Sequence, residues 1–275
     1  MDTAPPSTYI FGREIDDQQR LQYQYELLRE DFVAWFEEAL RRCGRSTDPA
    51  DADWSVLDVG CGAGQYAHEI ARRYPRATVV GTDLNPAAIV SATASAPPNA
   101  RFRVHDAREP VPEGGFDLVV SWMLLLHLPD KAGALRHLAA ALKPDGALLL
   151  GNVPDQAVDL DHPAARQILE VGRGATERVG MVGLERTLDP MLRDIGFTDV
   201  DTHVLRYLAG GATRHGQRWY QAAVATFVIG RPLLVDVTGM MAGAEYDRLL
   251  DAVLAAPVLD VSGELRYLVT VARRG

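Results

Sequence analysis

Cysteine is scarce in this 275-residue chain, which holds only Cys43 and Cys61. Two thiols cannot build a disulfide framework, so a reduced, cytoplasmic setting is the expectation. Neither Cys-x-x-Cys nor His-Glu-x-x-His spacing occurs, and no metal site is expected. The opening "MDTAPPSTYIFGREIDD" lacks the basic-then-apolar pattern of a secretory leader. Long apolar runs are missing too. A stretch such as "GALLLG" is sized for a buried strand, which argues against a membrane as partner. Positive charge is the last shortage: 28 Lys and Arg against 37 Asp and Glu leave a formal net charge of -9. A polyanion needs a positive field, so nucleic acid is not expected as a partner, whereas a small cationic or neutral ligand is easily accommodated.

What is present is an ordinary globular composition, 47% hydrophobic and 24% charged. From Asp16 to Arg42, Leu21, Tyr25, Leu28, Phe32 and Phe36 recur at helical spacing. "STDPADAD" is a linker of turn formers, after which apolar strands alternate with helices. "SVLDVG", "ATVVGTDL", "ARFRVHDA", "FDLVVSWM" and "GALLLGNV" read as strands, with helices between most of them. Such alternation predicts a parallel sheet covered on both faces. Beyond Pro154 the regularity weakens. Residues 156–183 read as a helical insertion, and three further helices and two strands close the sequence, the last strand being "ELRYLVTVARR". Three regions result: a helical N-terminal lid and linker (1–53), a core (54–153), and a completion of the sheet with helical insertions (154–275).

The densest signal is "VLDVGCGAGQYAHEIA" at Val56–Ala71. Gly60, Gly62 and Gly64 stand where a strand hands over to a helix, and glycine there is either a tight turn or a place of close ligand approach. "VVGTDLN" puts Asp83 at the end of the second strand, some twenty residues on, where an acid can accept hydrogen bonds from a ribose diol. A dinucleotide would place its pyrophosphate on the helix N-terminus, but Asp58 just before the glycines would repel it. The same acid suits a ligand carrying an ammonium and a sulfonium, which favours S-adenosylmethionine.

These segments, with "RFRVHDARE", "FDLVVSWMLLLHLPD" and "LKPDGALLL", occur in the order and spacing that resemble class I S-adenosylmethionine-dependent methyltransferases, over roughly residues 54–153 and within the small-molecule, secondary-metabolite branch. The resemblance implies a Rossmann-like, doubly wound α/β fold. Its sheet would be seven-stranded and mostly parallel with an antiparallel last strand, under a lid of N- and C-terminal helical additions. It implies that Asp58, Gly60, Cys61, Gly62 and Gly64 line the methionine and ribose side of S-adenosyl-L-methionine and of its product S-adenosyl-L-homocysteine. Asp83 would grip the ribose and Leu84 pack on the adenine. Asp106 would hold the adenine amino group beside the Ala107 amide, and Ser121 and Trp122 would border the transferable methyl. Trp122 can equally close the core. Tyr9, Arg13 and Gln24 would fold over the cofactor from the N-terminal segment.

Methyl transfer needs a base only when the nucleophile must lose a proton. His127 in "LLLHLPD" is the candidate, with His162, His215 and Tyr220 as alternatives in the insertions. A Pro-Pro-Tyr tetrad or Pro-Cys nucleophile of nucleic-acid and protein methylators does not follow the fourth strand, which points to a small-molecule substrate. Tyr9, Tyr23, Trp122, Met123, Trp219, Tyr220 and Met240 offer it an apolar and aromatic lining, and core packing is an equal alternative for several of them. Two matters stay open: whether the bound cofactor donates methyl or serves a cyclisation or other non-methylating step, and whether the chain works as a homodimer.

Overall fold

The computed structural model describes residues 16–154, 156–181, 184–256 and 260–274. Helix α1 (Asp16–Arg42) leads into β1 (Ser55–Val59), α2 (Gln65–Arg73), β2 (Thr78–Asp83), α3 (Pro86–Ala94) and β3 (Ala100–Val104). Then come β4 (Phe116–Trp122), a 3-10 turn at Leu125–His127, α4 (Lys131–Ala140) and β5 (Leu142–Asn152). The remainder is β6 (Val158–Leu160), α5 (Pro163–Arg178), α6 (Leu188–Asp194), β7 (Asp199–Gly210), α7 (Arg214–Arg231), a π-helical segment Pro232–Val237, α8 (Gly243–Ala255) and β8 (Ser262–Arg273).

The strands make one sheet in the order β3-β2-β1-β4-β5-β8, with β7 on the outer edge of β8. β1 to β5 are parallel, and β8 runs antiparallel to both β5 and β7. Eight strands rather than seven are present because β6, inside the expected helical insertion, pairs with β8 over Val158–Leu160, beyond the end of the β5 pairing. β5 and β6 therefore share one flank of β8, and the sheet remains seven ranks wide. The chain order reverses between β1 and β4, which places a ligand crevice outside the carboxyl ends of those strands.

Strand alternation sends Val56, Leu118, Val120, Trp122, Ala147 and Leu149 to one face of the sheet, with α1 and α2. Leu57, Val59, Val119, Leu148 and Leu150 go to the other, with α4 and α6. Helix α1 belongs to the first layer from Phe32 onward: Phe32, Ala39 and Leu40 are fully buried and Phe36 nearly so, while Leu27 and Leu28 pack in the C-terminal core. That part of α1 fills the face of the sheet and is not a lid. At the amino ends of the strands, buried Asp117 accepts from Arg45 Nε (2.6 Å), Lys143 Nζ (2.8 Å) and Ser55 N (2.8 Å), pinning the loop after α1 beneath the sheet.

The C-terminal helices have their own core, in which α5, α7 and α8 pack with Leu160, Leu265 and Tyr267. The π-helical segment carries α7 past Pro232, so Arg214–Val237 reaches 24 residues, apolar and long enough to cross a membrane, which the sequence reading did not expect. Buried Trp219, Ala223, Phe227, Leu233 and Leu234 on this run belong to the C-terminal core, which accounts for its apolar character.

Candidate active site

The turn after β1 is built by its glycines. Gly60, Gly62 and Gly64 have φ of 78°, 55° and 83°, in the left-handed region that other residues enter at a cost. Gly60 N and Cys61 N both donate to Thr82 O, which draws the turn over the end of β2. Space separates the three roles. A Cβ on Gly60 would press on Leu124 at 3.0 Å, and one on Gly64 would meet Ala92 and His68 at 3.1 Å. One on Gly62 would meet no described atom within 4 Å. Gly60 and Gly64 thus serve the protein's own packing, and Gly62 offers bare backbone on the open side of the turn.

Asp83 closes this corner. Its Oδ2 accepts from Gly62 N at 2.9 Å and its Oδ1 from Asn85 N at 2.8 Å. Each oxygen keeps a lone pair for a further donor. Asn85 also caps α3 by accepting from Ala87 N at 3.0 Å. Leu84 beside it is 44% exposed, an apolar face turned outward at the edge of the crevice.

Asp58 is the electrostatic anomaly. It is 1% exposed, its Oδ2 has no hydrogen-bond partner, and burial followed by the neighbouring Asp83 charge pushes its carboxyl up from 3.8 to about 7. Tyr66, on the first turn of α2, lies close enough for Asp58, Tyr25 and Tyr267 to add to the burial that pushes its phenol well up. Its ring packs on Phe32 (4.3 Å), Tyr25 (5.2 Å) and Trp122 (5.5 Å). Sequence reasoning did not single out Tyr66 for the site, although its place two residues past the glycine turn was a usable signal.

Cys61 is buried, with its thiol pushed well up by burial and then by Asp58 and Asp83, so it acts as packing rather than as a nucleophile. Asp106 stands at the loop after β3, but Arg108 Nε and Nη2 hold both its oxygens at 2.6–3.0 Å and keep its carboxyl below the usual range. Ala107 is buried beside it. Trp122 lies edge-on to Phe32 at 5.2 Å and flat over Gly151, where any Cβ would collide with the ring. Of its two readings, core closure is the one this packing supports.

Gln24 Nε2 donates to Tyr267 Oη at 3.3 Å, tying α1 to β8. Tyr9 and Arg13 lie outside the described residues. His127 ends the 3-10 turn just past β4, partly exposed. The alternative bases have other work: His162 Nδ1 accepts from Ala165 N to cap α5, His215 Nε2 accepts from Trp219 Nε1, and Tyr220 Oη donates to Val253 O. Among the described residues no group of acids, histidines and cysteines could hold a metal ion.

At the carboxyl ends of β4 and β5 the backbone is strained. Met123 has φ of 60°, the sole non-glycine residue at positive φ among those described. Beside it Ser121 Oγ and both amide atoms of Asn152 are buried without partners.

The sequence profile of a methyltransferase-domain family matches residues 18–202. The chain belongs to that family. The match spans α1 and β1–β5 with the glycine turn and both acids, as the resemblance to class I S-adenosylmethionine-dependent methyltransferases implied. Similar curated proteins are trans-aconitate 2-methyltransferases. That of Methylobacterium radiotolerans is 34% identical over 152 residues, 55% of this chain and 57% of the relative. That of Deinococcus radiodurans is 41% identical over 111 residues, 40% of this chain and 41% of the relative. The chain thus spans little more than half, at most, of these relatives.

Among solved structures, the plantazolicin methyltransferase BpumL in complex with S-adenosylhomocysteine superposes with a TM-score of 0.52 at 13% identity, covering 96% of this chain and 93% of its own. A Haemonchus contortus phosphoethanolamine N-methyltransferase, also with S-adenosylhomocysteine, gives 0.51 at 17% identity over 86% of this chain and 52% of its own. These likenesses concern the fold. S-adenosylmethionine is the cofactor of the family, and the corner fits it: bare backbone at Gly62, a two-pronged acceptor at Asp83, and an orphaned buried carboxylate oxygen at Asp58.

Proposed function

We propose that this protein transfers a methyl group from S-adenosylmethionine to oxygen, nitrogen or carbon of a small-molecule metabolite, in the cytoplasm and within secondary metabolism. The observation that carries the reading is the Asp83 carboxylate, fixed by the amides of Gly62 and Asn85 beside the open face of the glycine turn. A diol there donates charge-assisted hydrogen bonds to a carboxylate already held in place. When bound, the cofactor supplies an activated methyl on a sulfonium.

The chain's own residues do the rest. Asp58, with its unpartnered oxygen, would hold the amino end of the ligand, exposed Leu84 would cover the adenine, and the Ala107 amide would serve the ring. The fixed corner aligns donor and acceptor, and the aromatic layer of Phe32, Tyr66 and Trp122 keeps water out. His127 receives the proton of an acceptor that must lose one. Asp106, held by Arg108, would take the adenine amino group.

The relatives' names make trans-aconitate the first acceptor to try. The test pairs calorimetric titration of S-adenosylhomocysteine with detection of S-adenosylhomocysteine release from S-adenosylmethionine over an acceptor panel. Binding with turnover on at least one acceptor supports the proposal. Failure to bind refutes it, and binding with acceptor conversion but no release would assign a non-methylating reaction.

A further inference from the structure

The amide of Asn152 stands out among the buried polar groups. The residue is 1% exposed, and neither Nδ2 nor Oδ1 has a partner. Buried amides are nearly always hydrogen-bonded, and an asparagine orphaned at both atoms is costly to keep. Strand alternation puts Asn152 on the same face as Leu148 and Leu150. Ser121 is paired with Leu150 in the register of β4 and β5, so it shares that face, one residue pair below. Ser121 Oγ is also fully buried and without a partner.

Two unmatched hydrogen-bonding side chains thus sit diagonally at the carboxyl ends of adjacent strands. They lie next to the strained Met123, whose N donates to Gly151 O at 2.7 Å, and before the turn that carries His127. Met123 and Val153, at the two strand ends, are both partly exposed.

We propose that Asn152 and Ser121 position the methyl acceptor, and that they select a neutral group presenting a donor and an acceptor side by side. A carboxamide, a lactam or a hydroxy-carbonyl pair has that character. The chemistry of the primary amide sets this choice. Nδ2 donates and Oδ1 accepts in one plane, so a donor–acceptor pair satisfies both at once. An ionised carboxylate offers acceptors alone and leaves Oδ1 buried and unmatched, a penalty that lets a hydrogen-bonding pocket reject the wrong group strongly. The assignment rests on the methyl-transfer reading and narrows it away from the carboxylate that the relatives' names suggest.

The test uses the full chain with 2-pyridone as the lactam probe and benzoate as the carboxylate probe, each with and without S-adenosylhomocysteine. The variants are Asn152→Leu and Ser121→Ala. The side-chain amide resonance of Asn152, assigned by its loss in Asn152→Leu, should shift saturably with 2-pyridone and not with benzoate. Asn152→Leu should weaken 2-pyridone binding at least tenfold, with unchanged affinity for S-adenosylhomocysteine and a melting temperature equal to or above that of the wild type. A lower melting temperature would show that the amide is structurally satisfied, and would overturn the proposal. So would benzoate bound as well as 2-pyridone, no 2-pyridone shift in the wild type, or 2-pyridone binding retained in both variants. Loss of S-adenosylhomocysteine binding by the wild type counts instead against the methyl-transfer reading, since the resonance and melting measurements are made without that ligand as well.

Discussion

Replacing Asp58 with asparagine should make the unliganded protein more stable at alkaline pH while weakening its hold on the cofactor. The carboxyl is wholly buried with one oxygen unpartnered, and burial and Asp83 push it from 3.8 to about 7. Between those values the folded state holds a proton that the unfolded state has released. Stability therefore falls as pH rises from about 4 to 7 and is level above that, the reverse of a salt-bridged acid. Three units at about 1.4 kcal/mol each set a ceiling of ~4 kcal/mol on the loss. Asparagine keeps the shape and removes the charge. The variant should match the wild type near pH 4.5 and exceed it at pH 8, with a melting temperature raised on the order of 5–10 °C. Urea unfolding of both proteins across pH 4.5–8.5 measures the difference directly. Saturating S-adenosylhomocysteine should narrow the gap at pH 8, because its ammonium stabilises the charge only in the wild type. A pH-independent difference, or a variant less stable at pH 8, would refute the account of Asp58 as an uncompensated charge kept for a cationic ligand.

Four further outcomes follow from the same geometry. Asp83→Ala removes a fixed acceptor and frees the Gly62 and Asn85 amides, so calorimetry should show S-adenosylmethionine binding weaker by about 1.5–3 kcal/mol. Gly62→Ala, at φ 55° and with no described atom near its Cβ, should cost the fold only about 1–2 kcal/mol yet abolish cofactor binding, as circular dichroism and titration together would show. Gly64→Ala, pressed between Ala92 and His68, should instead lower stability by more than Gly62→Ala does. Phe32→Ala should lower the unfolding free energy by about 3–5 kcal/mol with or without cofactor, because α1 is a layer of the core there; a loss confined to the liganded protein would restore α1 as a lid.

Where local chemistry decides, the sequence was legible. The glycine turn, Asp83, the Asn85 cap and the alternation of β1 to β5 depend on neighbours within one strand–turn–helix unit, and each is found at its expected residues. What escaped was set by partners far along the chain. The ion pair on Asp106 was not foreseen because nothing in "HDAR" says that Arg108 will fold back onto it. β6 was lost in a helical insertion because its three residues are strand only by virtue of pairing with β8, about a hundred residues on. The stripe of α1 was visible, but whether it covers the crevice or the sheet face depends on Trp122, Val269 and Val271. Asn152 was hidden as one polar letter at the end of an apolar strand, and only its lack of partners singles it out.

The placement of β8 has a consequence for how the molecule is made. β5, β6 and β7 have no contact with one another in the sheet except through this single strand, which pairs along all twelve of its residues with β7. As the chain leaves the ribosome, β1 to β5 can assemble with the glycine turn and Asp83 in place, while β7 waits unpaired for Ser262–Arg273. During that interval the outer flank of β5 is an open edge, the kind that recruits other strands. Ligand captured early by the first half would hold that half together through the wait, which makes S-adenosylmethionine a candidate folding aid before it is a reagent, measurable as a higher yield of soluble protein when it is added during cell-free synthesis.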